Sequence, residues 1–298
     1  MQTPSEDIIC IGSVLWDIIG RSSSHMRVGT DVPGRIIRLP GGVAMNIAMT
    51  LTRFGLRPAL LTAMGRDSEG DHLIATAQAM NMVTDHVYRS DDLPTDQYMA
   101  VEGANGLIAA IADAHSLEAA GDKILRPLSD GRLGSLDAPY DGVIALDGNL
   151  TMALLENIAT SPLFARADLR VAPASPGKAT RLMPFLTGGR AVLYVNLEEA
   201  GLLCGTDFAD SGEAAAALVA RGARRALVTD GAQPASDATK ESNETLMPPE
   251  VLVTRVTGAG DTFMAAHIAA EASGSNRTEA LQRALTAAAH YVSGADAK

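Results

Sequence analysis

The sequence predicts an α/β fold, a largely parallel sheet covered by helices on both faces. Two observations carry this. In the second half, short apolar runs at residues 143–146, 170–172, 191–195 and 226–229 alternate with helical stretches, as in crossover-connected parallel strands. Further on, a β-branched run at 251–256 leads into Gly258 and Gly260, and an apolar helical stretch at 264–270 follows. That is the pattern of strand, tight turn and helix.

The remaining elements follow in chain order. Residues 8–14 are apolar around Gly12 and predict a buried first strand. Residues 18–39 are mixed, punctuated by Ser22-Ser23-Ser24, Pro33-Gly34 and Pro40. From 43 to 54 apolar residues recur at helical spacing, and Gly55 follows as a helix stop. Residues 59–64 predict a strand ended by Gly65. Residues 97–101 and 107–111 flank Gly103-Ala104-Asn105-Gly106, a hairpin signal. Residues 213–221 form an Ala-rich helix, with Ser211 expected as its cap and Gly222 as its stop. The polar stretch 233–250 is expected to be a loop. There is no internal repeat.

Composition narrows the function classes. The chain has 298 residues, 47% of them hydrophobic, enough for a substantial core. A net charge of −11 without a basic cluster argues against a nucleic-acid polymer as partner. Cys10 and Cys204 sit in apolar settings and read as core residues of a reducing compartment. Glu6 and Asp7 stand where a signal peptide would carry basic residues, and no apolar run approaches the ~20 residues that span a bilayer. A cytoplasmic enzyme without a membrane partner is expected.

The chemistry concentrates at Thr257-Gly258-Ala259-Gly260-Asp261. First-turn N–H groups of a helix lack internal partners, and the helix dipole favours negative charge there. Glycines let a phosphate approach that backbone. Asp261 stands beside this site, where a carboxylate can take a proton from an attacking hydroxyl. A carboxylate that merely complements the dipole is the plainer reading, and the glycine context favours the base. No Gly-x-x-x-x-Gly-Lys-Ser/Thr loop occurs, and no Gly-x-Gly-x-x-Gly turn follows the first strand, which excludes P-loop enzymes and disfavours dinucleotide dehydrogenases.

Thr257 to Asp261, together with Gly41-Gly42-Val43-Ala44-Met45-Asn46 continuing to Arg53-Phe54-Gly55, resembles the paired signatures of the ribokinase-like (phosphofructokinase B-type) sugar and nucleoside kinases. The resemblance implies a ribokinase-like three-layer α/β sandwich, with a mostly parallel central sheet and a small β-sheet lid from about 18–40 and 95–114. It implies an ATP-dependent kinase using Mg2+. Asp261 is then the general base, and the N–H groups of Gly258, Ala259 and Gly260 hold the transferring phosphoryl. Asp17, Gly41, Gly42 and Asn46 form the acceptor site. Asn196, Thr229, Gly231 and Thr257 lie with Gly258 and Gly260 along ATP, and Glu199 holds magnesium through water. Helix capping by Asn196 and a structural bond from Asn46 are the plainer readings of those two residues. Pro234 stands where the family usually has Gly. Arg255 replaces a frequent Asp near a monovalent-cation site, so potassium activation is not assumed.

Shorter matches resemble the pseudouridine kinase branch of that family. They are Ser13 to Asp17, Val32-Pro33-Gly34, Ile111-Ala112-Asp113, Leu146 to Leu150 and Ser175-Pro176-Gly177-Lys178-Ala179. Ala172 departs from the acidic residue usual there. The branch implies 5′-phosphorylation of pseudouridine, with Asp113 and Lys178 among the substrate-binding residues and Gln97 or Asp113 facing the base. Asp147 and Asn149 read equally as residues capping the next helix. Two alternatives stand beside this: another sugar or nucleoside kinase, and a non-catalytic nucleoside or sugar sensor on the same fold. Exposed lid edges add the expectation of a homodimer through the lid.

Overall fold

The computed structural model describes residues 6–27 and 29–294. The buried run Ile8–Ile11 is strand β1. The chain then leaves the main sheet at Gly12 and enters β2 (Leu15–Arg21), followed by β3 (Arg35–Gly41), helix α1 (Val43–Arg53) and β4 (Pro58–Leu61). Next come β5 (Ala63–Gly65), α2 (Ser68–Ala79), β6 (Tyr88–Ser90), the hairpin β7 (Gln97–Gly103) and β8 (Gly106–Asp113), and α3 (His115–Ala120). The second half runs β9 (Val143–Asp147), α4 (Met152–Thr160), β10 (Asp168–Ala172), α5 (Met183–Gly188), β11 (Val192–Asn196) and α6 (Leu197–Cys204). It closes with α7 (Ser211–Ala220), β12 (Arg225–Asp230), β13 (Gln233–Ala238), β14 (Asn243–Leu246), α8 (Ala259–Ala272) and α9 (Arg277–Ser293).

Eight strands form the central sheet in the order β14-β13-β12-β11-β10-β9-β1-β4. The six from β12 to β4 are parallel, and β13 and β14 are antiparallel additions at one edge. Alternation within β1 assigns the layers. Ile9 and Ile11 pack with α4, α5, α6 and α7 on one face, and Ile8 and Cys10 pack with α1, α8 and α9 on the other. Burying each such aliphatic side chain stabilises the fold by roughly 1.5–3 kcal/mol. Both cysteines are free thiols.

The second sheet, β3-β2-β7-β8, is the small lid implied by the resemblance. Its register fixes which residues share a face. Asp17 lies in one row with Leu39, Tyr98 and Ala112, and Trp16 lies in the next with Pro40, Gln97 and Asp113. Trp16 anchors the lid, its indole N–H donating to Glu69 O at 3.0 Å, with the Arg38 guanidinium 3.9 Å over its ring.

Five expectations are corrected. The first strand stops at Ile11 because Gly12 turns at φ +146°, against Asp147, and hands the chain to the lid. The strand expected at 59–64 divides at Thr62, where pairing passes from β1 to β6. Asp210, not Ser211, caps α7, accepting Glu213 N–H at 2.9 Å, while the Ser211 hydroxyl donates to Pro234 O. The polar stretch after Asp230 is the β13–β14 hairpin. Its buried Asp237 accepts from Arg225 and Arg277, so ion pairing replaces apolar burial as the strand's anchor. Finally, 251–256 forms no strand, because the Thr254 and Arg255 N–H groups donate to Val292 O at the end of α9.

Candidate active site

The candidate site lies at the carboxyl ends of the parallel strands, where open α/β sheets bind ligands. Gly12 follows β1, Asp147 ends β9, Asn196 ends β11 and Thr229 lies near the end of β12. Asn196 and Thr229 are register partners on adjacent strands. Gly231, at φ +55°, turns the chain from β12 into β13.

The start of α1 forms one wall. Gly42 caps it at φ +92°, and a Cβ there would sit 2.5 Å from Ser13 O. Gly41 packs directly against the Asp17 carboxylate, leaving no room for a side chain. The Ser13 hydroxyl accepts Val43 N–H at 3.0 Å and itself donates to Asp147. Asp147 is fully buried and also accepts the backbone N–H groups of Ser13 at 2.8 Å and Asn149 at 2.7 Å. Asn149 in turn accepts from Lys178 Nζ at 2.6 Å. A carboxylate so placed is a hub joining β1, β9 and α1. Ser13 and Asp147 each stand in a motif of the sequence, but nothing local pairs them across the 134 positions that separate them.

The start of α8 forms the opposite wall. Gly258, at φ +88°, is its cap, and Asp261 lies in its first turn. Ala259 N–H is committed to Val256 O at 3.0 Å. Gly260 and Asp261 N–H belong to the turn that lacks intrahelical acceptors. Across the cleft, Asn46 on α1 donates its side-chain amide to Asp261 Oδ2 at 2.9 Å. Burial pushes the Asp261 carboxyl up to about 7, with the charges of Asp147 and Glu199 adding and the Asn46 bond opposing.

Asn196 and Glu199 form a reciprocal capping box on α6, both bonds 2.8 Å. Burial raises the Glu199 carboxyl to about 7, against the Asn196 N–H bond. Asp17 is raised to about 6 by burial. Its carboxylate packs against Gly41 at the start of α1, so the Asp17 row is the lid face turned toward that wall.

The structure thus brings together Asp17, Gly41, Gly42, Asn46, Gly258, Ala259, Gly260 and Asp261 around one cleft. Glu199 is within electrostatic reach, and Asn196 and Thr229 are on the neighbouring strand ends. Asp113 is placed apart. It shares the Trp16 row, on the lid face opposite Asp17, and its carboxylate bonds His115 Nδ1 at 2.9 Å. Gln97 lies in that row too, whereas Tyr98 occupies the Asp17 row.

Comparison with known proteins agrees with this geometry. Residues 5–297 match the model of the pfkB family carbohydrate kinases. The chain is 28% identical to a pseudouridine kinase of Escherichia coli (strain K12) over 268 residues, covering 87% of this chain and 81% of that protein. It is 25% identical to a ribokinase of Mus musculus over 272 residues, covering 87% and 80%. A carbohydrate kinase from Agrobacterium tumefaciens superposes with a TM-score of 0.81 at 26% identity, over 96% of this chain and 90% of that one. No helix among the described residues is long and apolar enough to cross a membrane. A family match spanning nearly the whole chain, on a fold whose glycine turn carries a half-buried carboxyl, places this protein in the pfkB family of carbohydrate kinases.

Proposed function

We propose that this protein transfers the terminal phosphoryl group of ATP to a hydroxyl of a sugar or nucleoside. The observation that carries the reading is Asp261, raised to about 7 and held by Asn46 at the mouth of the glycine turn. A base poised near neutrality serves proton transfer from an alcohol best. Asp261 takes the hydroxyl proton as the oxygen attacks. With the Ala259 N–H taken by Val256 O, the N–H groups of Gly258 and Gly260 steady the phosphoryl oxygens, the electrostatic work that dominates phosphoryl transfer. Asp17, beside Gly41 and Gly42, accepts from acceptor hydroxyls and orients them. Asn196, Thr229, Gly231 and Thr257 line the path of the nucleotide.

The residues fit magnesium as a water-held ion. Glu199 Oε2 serves the α6 cap, and Oε1 is the atom that would accept from a magnesium-bound water. Magnesium retains several waters and needs few direct protein ligands. When bound, it would neutralise charge on the phosphate oxygens. Lys178, tethered through Asn149 to the Asp147 hub, supplies a cation on the same side.

Among acceptors, the family match to carbohydrate kinases, the ribokinase relative and the Agrobacterium tumefaciens carbohydrate kinase support a sugar or another nucleoside best. The motifs at 13–17 and 146–150 and the Escherichia coli relative support the 5′-hydroxyl of pseudouridine as the second reading. Two copies pair through the lid, because Ile36 and Ile111 leave 79% and 65% of their surface exposed on its Trp16 face. A monomer in sedimentation would remove that pairing.

The test is ATP turnover with magnesium against pseudouridine, uridine, cytidine, adenosine, ribose and fructose, with Asp261→Asn as control. Turnover on pseudouridine, lost in the variant, supports the finer reading. Turnover on another acceptor keeps the kinase and rejects that substrate. Binding without turnover on any acceptor would replace the kinase with a nucleoside or sugar sensor.

A further inference from the structure

We propose that Tyr291, near the end of the last helix, is a positioning residue that aims the N–H of Gly258 in the anion-binding turn. The inference rests on the kinase reading for its consequence, but its geometry stands alone. The Tyr291 hydroxyl donates to Thr257 O at 2.9 Å. That carbonyl belongs to the same peptide as the Gly258 N–H. The peptide is planar and trans, so its C=O and N–H point in opposite directions. Gripping the carbonyl from the α9 side therefore turns the N–H away from α9. A donor bonded at its carbonyl also becomes a stronger donor at its N–H, through polarisation along the chain of bonds.

The residue identities on both sides fit this role. A Cβ on Gly258 would lie 2.5 Å from the Tyr291 hydroxyl oxygen, so the hydroxyl fills the space that a side chain would need. Gly258 is also in the left-handed region, at φ +88° and ψ 0°. Glycine at 258 and tyrosine at 291 are thus a fitted pair.

The tyrosine is itself held. The Arg255 guanidinium lies 3.7 Å over its ring, and Arg255 Nε donates to Tyr291 O at 2.7 Å. Thr254 N–H and Arg255 N–H donate to Val292 O at 2.8 and 3.2 Å. These bonds fasten the approach loop to α9, and the tyrosine hydroxyl carries the attachment into the turn. Burial raises the phenol above its usual range, the Arg255 and Arg53 charges opposing and those of Asp261 and Asp17 adding, so it remains a donor at neutral pH.

The test is Tyr291→Phe in the full chain, which keeps the ring over which Arg255 stacks and deletes only the hydroxyl. Hydrogen exchange of the amides at 254–262 should accelerate, with exchange in the lid strands unchanged. With an acceptor that the wild type turns over, kcat should fall about tenfold while the acceptor KM and melting temperature stay near wild type, smaller than the loss of a direct donor. Unchanged exchange at 254–262 overturns the inference whether or not the protein is a kinase. Faster exchange there with an unchanged kcat overturns the catalytic consequence. Exchange that rises across the whole chain would make Tyr291 a general stability residue and overturn it as well. A wild type without turnover rejects the kinase reading and leaves the exchange result to judge the geometry.

Discussion

The Asn46 side chain donates to Asp261 Oδ2 at 2.9 Å, joining residues 215 positions apart. Asn46 stands on α1, the helix that follows the Gly41-Gly42 turn, and Asp261 in the first turn of α8. The bond ties the start of α1 to the start of α8. It also holds the carboxylate in one rotamer, with its other oxygen left to face a hydroxyl.

Asp261→Asn keeps this geometry and removes the base. Turnover should fall by about 10²–10⁴-fold, the usual worth of a positioned general base. The variant should be more stable than wild type at pH 8, by a margin that is smaller at pH 5 and closes only below about pH 4. A carboxyl raised from 3.8 to about 7 binds more protons in the folded state across that interval, so wild-type stability declines as pH rises through it. Thermal melts at the two pH values check this.

The rate should rise with pH on an acid limb near 7, because the base works only when ionised. Asn46→Ala deletes a bond that favours the ionised form, so the limb should move to higher pH. The negative charges of Asp147 and Glu199 also raise the Asp261 carboxyl, and both remain in the Asn46 variant. A pH–rate profile of both proteins decides it, and an unmoved limb would separate Asn46 from the base.

Glu199→Gln should raise the magnesium concentration for half-maximal rate, with about a 10–100-fold loss of activity at low magnesium. The capping box on α6 should survive, because a glutamine at this position still accepts the Asn196 N–H, so stability should stay near that of wild type. Magnesium titrations together with denaturant melts check both halves.

Asp147→Ala strands the buried donors of Ser13 and Asn149 and should destabilise the fold by about 1–3 kcal/mol or more. Because Ser13 also accepts from Val43 at the start of α1, the acceptor KM should rise with it. Urea unfolding and acceptor titration measure the pair. An unaltered KM would show that the hub supports only the fold.

If Asp17 orients acceptor hydroxyls as proposed, without moving a proton, Asp17→Asn should raise the acceptor KM more than it lowers kcat. Its folded pKa, raised by burial to about 6, means that wild-type stability drops as pH rises from 4 to 6, and the variant should lack that drop. Steady-state kinetics with varied acceptor and melts across that interval check both halves.

Much of this was readable along the chain because it is local. The start of α8 follows from glycine freedom and the unpaired N–H groups of a helix terminus, properties of five consecutive residues. The alternation of strands and helices after Val143 gave the parallel sheet for the same reason. The β13–β14 hairpin escaped because its anchor is the Arg225–Asp237–Arg277 ion pairing rather than an apolar period. The Asp113 and Gln97 placements turned on lid register, where a shift of one residue moves a side chain to the other face.

The sequence by itself determined the anion turn, the candidate base at 261 and the Gly-Gly entry to α1, since each depends on conformations that neighbouring residues allow or forbid. The tertiary structure alone decided which carboxyl is tuned to neutrality, which lid face covers the cleft and what steadies the turn. Those outcomes depend on burial and on contacts between distant segments, Asn46 with Asp261, Ser13 with Asp147 and Tyr291 with Thr257. Desolvation and long-range hydrogen bonds exist only once the chain has closed on itself.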